Sequence, residues 1–70
     1  MVWIFKTSVR TETQVEALAR DLDISIGNVK WNFDLQDCDR ILRIEANRLN
    51  SEEVISILQS RGYECVEFPD

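Results

Sequence analysis

Lys6-Thr7-Ser8-Val9-Arg10-Thr11-Glu12-Thr13-Gln14-Val15 is the stretch that decides the fold, because an apolar run ends in it and a helical pattern begins. Upstream, Val2 to Thr7 is β-branched or aromatic at most positions and too short for a helix. That predicts a strand with Trp3, Phe5 and Thr7 on one face and Val2, Ile4 and Lys6 on the other. Downstream, Val15, Leu18, Ala19 and Leu22 recur at spacings of three and four, the apolar stripe of a helix ending near Asp23. Thr11 and Gln14 stand three apart, the spacing of a capping box. The hydroxyl accepts from the Gln14 backbone N–H, and the Gln14 amide reaches back to the Thr11 backbone. Such a loop places backbone donors at the positive end of a helix, a natural meeting place for a ligand or partner.

Outward from this loop the rest of the chain divides cleanly. Residues 24 to 28 read as a turn, after which Val29, Trp31, Phe33 and Leu35 alternate with Lys30, Asn32 and Asp34 as a half-buried strand. Asp34, Asp37 and Asp39 are turn-forming and lack the spacing of an EF-hand calcium loop. Residues 41 to 46 alternate again, with Leu42, Ile44 and Ala46 inward, and pair with the preceding strand as a hairpin. Asn50 with Glu53 is a second capping-box pattern after a Leu49 staple, and Val54, Ile57 and Leu58 give the second helix its buried face. Arg61 sits at that helix's negative end and Gly62 suits its C′ position. Tyr63 to Phe68 is expected as a final strand with Val66 and Phe68 inward. This leaves Val2, Ile4, Tyr63 and Cys65 on the opposite sheet face with Lys30, Arg43 and Glu45.

The order β-α-β-β-α-β predicts an α+β, ferredoxin-like domain spanning residues 1 to 70, with antiparallel strand order 4-1-3-2 and both helices on one face. It brings the Ser8 to Thr11 loop, the hairpin tip around Cys38 and the Gly62 to Glu64 turn to one end, where a site is expected. Seventy residues at 44% hydrophobic content suffice for one small core and no second domain. Eight basic against thirteen acidic residues, a formal charge of -5, disfavour nucleic acid and suit a basic partner surface. The five apolar residues at the start are too few for a signal peptide or a membrane span. Cys38 and Cys65 match no zinc spacing and lie two strands, about 10 Å or more, apart in this sheet order, so free thiols in a cytoplasmic protein are expected rather than a disulfide. Cys38 is flanked by Asp37 and Asp39, a setting expected to lower its reactivity, and Cys65 reads as a packed small hydrophobe.

Phe5-Lys6-Thr7-Ser8 before a capped helix, Gly27 to Leu35 ending in Asn32-Phe33-Asp34-Leu35, and Gly62-Tyr63-Glu64-Cys65 before the last strand together resemble the heavy-metal-associated domain across nearly the whole chain. That family comprises small copper chaperones and soluble domains of metal-transporting ATPases. The resemblance implies this fold and a first loop of the type Gly-Met-Thr-Cys-x-x-Cys that holds a soft metal between two thiolates. On that motif Ser8 falls at the glycine, Val9 at the methionine, Arg10 at the threonine, Thr11 at the first cysteine and Gln14 at the second. Both thiolates are therefore replaced by neutral oxygen donors, which compete poorly for ions such as Cu(I).

The reading that follows is a non-enzymatic protein-interaction or regulatory module with a degenerate metal loop and no cofactor. Contacts are expected through Ser8, Val9, Arg10, Thr11, Gln14 and Tyr63 or through the open sheet face, to a protein partner that includes a second copy of the chain. The alternative is a divergent copper- or zinc-binding protein that uses Cys38, Cys65 or a site shared between molecules. Arg10 and Asn32 also resemble the anion-binding Arg and Asn of acylphosphatases, which share the element order. The Gly-rich phosphate cradle is absent and the chain is short for that family, so no enzyme is expected.

Overall fold

A computed structural model describes residues 1–27, 29–36, 38 and 40–68. The elements are β1 (Val2–Thr7), α1 (Glu12–Ile26), β2 (Lys30–Asp34), β3 (Ile41–Glu45), α2 (Ser51–Ser60) and β4 (Cys65–Glu67). All three strand pairings are antiparallel, and the sheet order is β2-β3-β1-β4, which from the β4 edge reads 4-1-3-2. Two helices on a four-stranded antiparallel sheet are compatible with the ferredoxin-like arrangement.

The core forms where three apolar faces meet. Phe5 from β1, Leu42 and Ile44 from β3, Leu18 and Leu22 from α1, and Val54 and Leu58 from α2 are all fully buried in one cluster. Each such side chain contributes on the order of 1.5–3 kcal/mol on burial. Both helices therefore lie on the face that carries Phe5, Leu42 and Ile44. Trp3 and Trp31 are half-buried against the same cluster, as the alternation of their strands requires.

Two helix boundaries differ in detail from the sequence reading. α1 runs three residues past Asp23, through Ile24, Ser25 and Ile26, and stops at Gly27. Gly27 adopts φ 72° and ψ -152°, a region essentially closed to residues with a Cβ, and its N–H donates to the Asp23 carbonyl at 3.1 Å. At α2, Asn50 accepts from the Glu52 N–H at 3.1 Å, a simple cap rather than the expected box with Glu53. The α2 C-terminus is a Schellman motif: Gly62, at φ 86°, donates to Gln59 at 3.0 Å and Tyr63 donates to Leu58 at 3.0 Å. Arg61, whose Nη2 lies 2.7 Å from the Asp21 carboxylate, ties this end of α2 to α1.

β4 is inverted relative to expectation. Thr7 pairs with Cys65 and Lys6 with Val66, which places Cys65 in the core at 3% exposure and turns Val66 outward at 62%. Phe68, 42% exposed, lies on the same side and its N–H donates to the Ile4 carbonyl at 2.7 Å. Val66 and Phe68 are thus outer-face residues, and Tyr63 packs against the core.

Candidate functional site

The three connections expected to converge do so through specific polar bonds. Thr7 is the buried polar residue among those described; its hydroxyl donates to the Arg40 carbonyl at 2.6 Å and accepts from the Val9 N–H at 3.3 Å. The Thr7 N–H reaches the same carbonyl at 3.2 Å. Arg40 has a left-handed backbone, φ 50°, which costs a non-glycine residue on the order of 1–2 kcal/mol. The Thr7 bonds and the Arg40 Nη1 bond to the Leu35 carbonyl at 2.9 Å offset that strain and close the hairpin against β1. On the other side, the Ser8 N–H donates to the Glu64 carbonyl at 3.2 Å while the Ser8 hydroxyl accepts from the Glu64 N–H at 2.8 Å.

The capping box is complete in both directions. Thr11 Oγ1 accepts from the Gln14 N–H at 3.2 Å, and Gln14 Oε1 accepts from the N–H groups of Arg10 at 2.7 Å and Thr11 at 3.3 Å. The two positions that the resemblance assigns to thiolates therefore bond to the helix terminus and to each other's backbone. Of the six expected contact residues, Arg10 and Thr11 are exposed and Ser8, Gln14 and Tyr63 are half-buried. Val9 is fully buried in the core and supports the loop from beneath, which removes it from any contact surface.

The cysteines occupy opposite environments. Cys38 is exposed and Cys65 buried, both as free thiols. Burial pushes the Cys65 thiol up to about 11, so it remains protonated at neutral pH and is not a ready thiolate ligand. Asp37 and Asp39, on which the expected setting of Cys38 rests, lie outside the described residues. Among those described, no group of three or more His, Cys, Asp or Glu side chains is placed to hold a metal ion. Asn32 stands on the sheet face away from the helices, opposite Arg43.

A second surface was missed by sequence reasoning. Between the first half of α1 and β2 lies a groove of about 520 Å³ whose apolar lining is Val15, Trp31, Phe33 and Leu35. The charged residues lining it are Glu12, Glu16 and Asp34, all acidic. Trp31 and Phe33 meet edge to face, with ring centroids 6.0 Å apart at 81°. Trp31 Nε1 donates to Asp23 Oδ1 at 3.1 Å, which fixes the indole against α1. The available signal was the strand order itself: an edge strand under only two helices leaves its inward aromatics partly uncovered.

The outer sheet face carries Val2, Ile4, Val66 and Phe68 as an apolar strip along β1 and β4. Among the described residues no helix is long and apolar enough to cross a membrane. In comparisons with protein-family models, with curated proteins and with solved structures, none matches this chain.

Proposed function

We propose that this chain is a non-enzymatic protein-interaction or regulatory module, built on a scaffold resembling the heavy-metal-associated domain, whose metal loop has become a helix cap. One observation carries the reading: the reciprocal bonds of Thr11 and Gln14 with the first turn of α1. A hydroxyl and an amide engaged in this way offer a soft cation nothing that water does not. The sheet order and its two one-sided helices support the scaffold, and two unpaired thiols suit a reducing compartment such as the cytoplasm.

The alternative, a divergent copper- or zinc-binding protein, has its accessible ligand in Cys38, the exposed thiol, in a site shared by two molecules. Titration of the reduced protein with Cu(I) and Zn(II) separates the two. Micromolar or weaker binding, unchanged by Cys38→Ser and Cys65→Ser, is expected. Sub-micromolar binding lost in either variant overturns the interaction reading.

A further inference from the structure

Resting on the interaction reading, we infer that the β2 edge and the groove beside it receive an extended basic segment of a partner protein, which adds as a fifth strand next to β2. β2 pairs with β3 on one side and ends the sheet on the other. An edge of this kind offers main-chain hydrogen bonds to an incoming strand, while pockets beside it select alternate side chains. The neighbouring edge feature is a pocket with chemical character. Trp31 and Phe33 supply an aromatic floor, and Glu12 and Glu16 stand exposed above it. Among the described residues no basic side chain lines the groove.

Charge complementarity selects the occupant. A Lys or Arg side chain lays its aliphatic stem over the aromatic floor, gains a cation–π contact with the indole, and places its charge between the two glutamates. The chain's net charge of -5 favours the encounter over longer range. A second copy docked through the same edge would bring two acidic grooves together, so an isologous β2-to-β2 dimer is disfavoured by the same charges.

The test uses the full chain and three fluorescein-labelled nine-residue peptides. One alternates Lys or Arg with Val, one alternates Glu with Val, and one is the basic peptide N-methylated at alternate amides to block strand addition. Anisotropy is expected to show binding of the basic peptide alone, weakened about 5- to 10-fold by Glu12→Gln with Glu16→Gln and lost on N-methylation. Amide shifts in a ¹⁵N-labelled sample are expected along β2 and the first half of α1. Equal binding of acidic and basic peptides, indifference to N-methylation, or no binding of the basic peptide overturns the inference. Selection of nine-residue peptides from a random displayed library distinguishes the two levels. Binders whose shifts map to the Ser8 to Gln14 loop or to the Val66 and Phe68 face overturn the β2 assignment and leave the interaction module standing. No binder, combined with tight Cu(I) binding through Cys38, overturns both.

Discussion

Removing the cap is the most direct way to ask whether Thr11 and Gln14 are structural. Thr11→Ala deletes the acceptor of the Gln14 N–H, a loss expected to cost about 1 kcal/mol within a range of about 0.5–2. Gln14→Ala deletes the acceptor of two N–H groups, at 2.7 and 3.3 Å. Both are exposed and can be rehydrated, so each bond is worth about 0.5 kcal/mol at the low end of its range, and the better helix propensity of Ala returns a few tenths. The expected cost of Gln14→Ala is therefore about 0.5–1 kcal/mol. Because the two side chains complete one reciprocal unit, the double variant should lose less than the sum, with a coupling of about 0.5 kcal/mol.

These are measurable fractions of the stability of a 70-residue domain, roughly 4–10 kcal/mol on a per-residue scale. Each kcal/mol moves the melting temperature by about 4–8 °C. Trp3 and Trp31 report urea unfolding by fluorescence without a label, and Thr13→Ala, one position inside the helix and exposed, serves as the control. Costs below about 0.3 kcal/mol for both variants, with no coupling, would refute the cap and free both side chains for ligand duty.

Cys65 and the two glycines give further tests. Because burial raises the folded Cys65 pKa from 9.0 to about 11, the unfolded chain releases the proton first. Stability from this group is complete below pH 9 and is lost as pH rises to 11. The loss is on the order of 2–3 kcal/mol and should be smaller in Cys65→Ala when both are followed by urea unfolding across that window. An aromatic disulfide reagent at neutral pH should react with the exposed Cys38 before Cys65, which becomes accessible only as the fold opens; equal rates would contradict the burial. Gly27→Ala should cost more than Gly62→Ala, since Gly27 combines φ 72° with ψ -152° whereas Gly62 sits at the αL position of a Schellman motif. Thermal melts of the two variants decide the order, and equal losses of about 1 kcal/mol would show that backbone strain at Gly27 is relieved locally.

What the sequence made legible is what local chemistry controls. The alternation of Trp31 and Phe33, the stripe of Leu18 and Leu22, and the Thr11 and Gln14 box each depend on residues within a few positions, and each is present as read. The β4 register depends on something else. Tyr63 and Cys65 form one apolar set and Val66 and Phe68 the other, and hydrophobicity alone selects the second. The backbone selects the first, because Tyr63 is held to Leu58 as the residue closing α2 and Glu64 is held twice to Ser8. Two fixed points so close to the strand leave Cys65 opposite Thr7, and a one-residue slip exchanges every side chain between faces. The end of α1 lies beyond Asp23 for a local reason: Ile26, four residues after Leu22, continues the apolar stripe and packs against the core, and Gly27 then supplies the left-handed residue that stops the helix.

The same bonds bear on where a partner can be met. At the loop end, Thr7 with Arg40, Ser8 with Glu64 and Thr11 with Gln14 join the connections to one another, so the polar groups that drew attention there already hold the fold together. The two edges of the sheet differ in what they offer. β4 is three residues long, which leaves little backbone for strand addition. β2 is five residues long, carries neither proline nor glycine, and has an aromatic groove with an acidic rim at its side. Natural edges are blunted by short length, charged side chains, proline or a cover; β4 is blunted by its length, whereas β2 has charges only at its two ends, Lys30 and Asp34, around the uncharged Trp31, Asn32 and Phe33, so strand addition by a partner is expected there and the Glu12 and Glu16 carboxylates decide which strands are accepted.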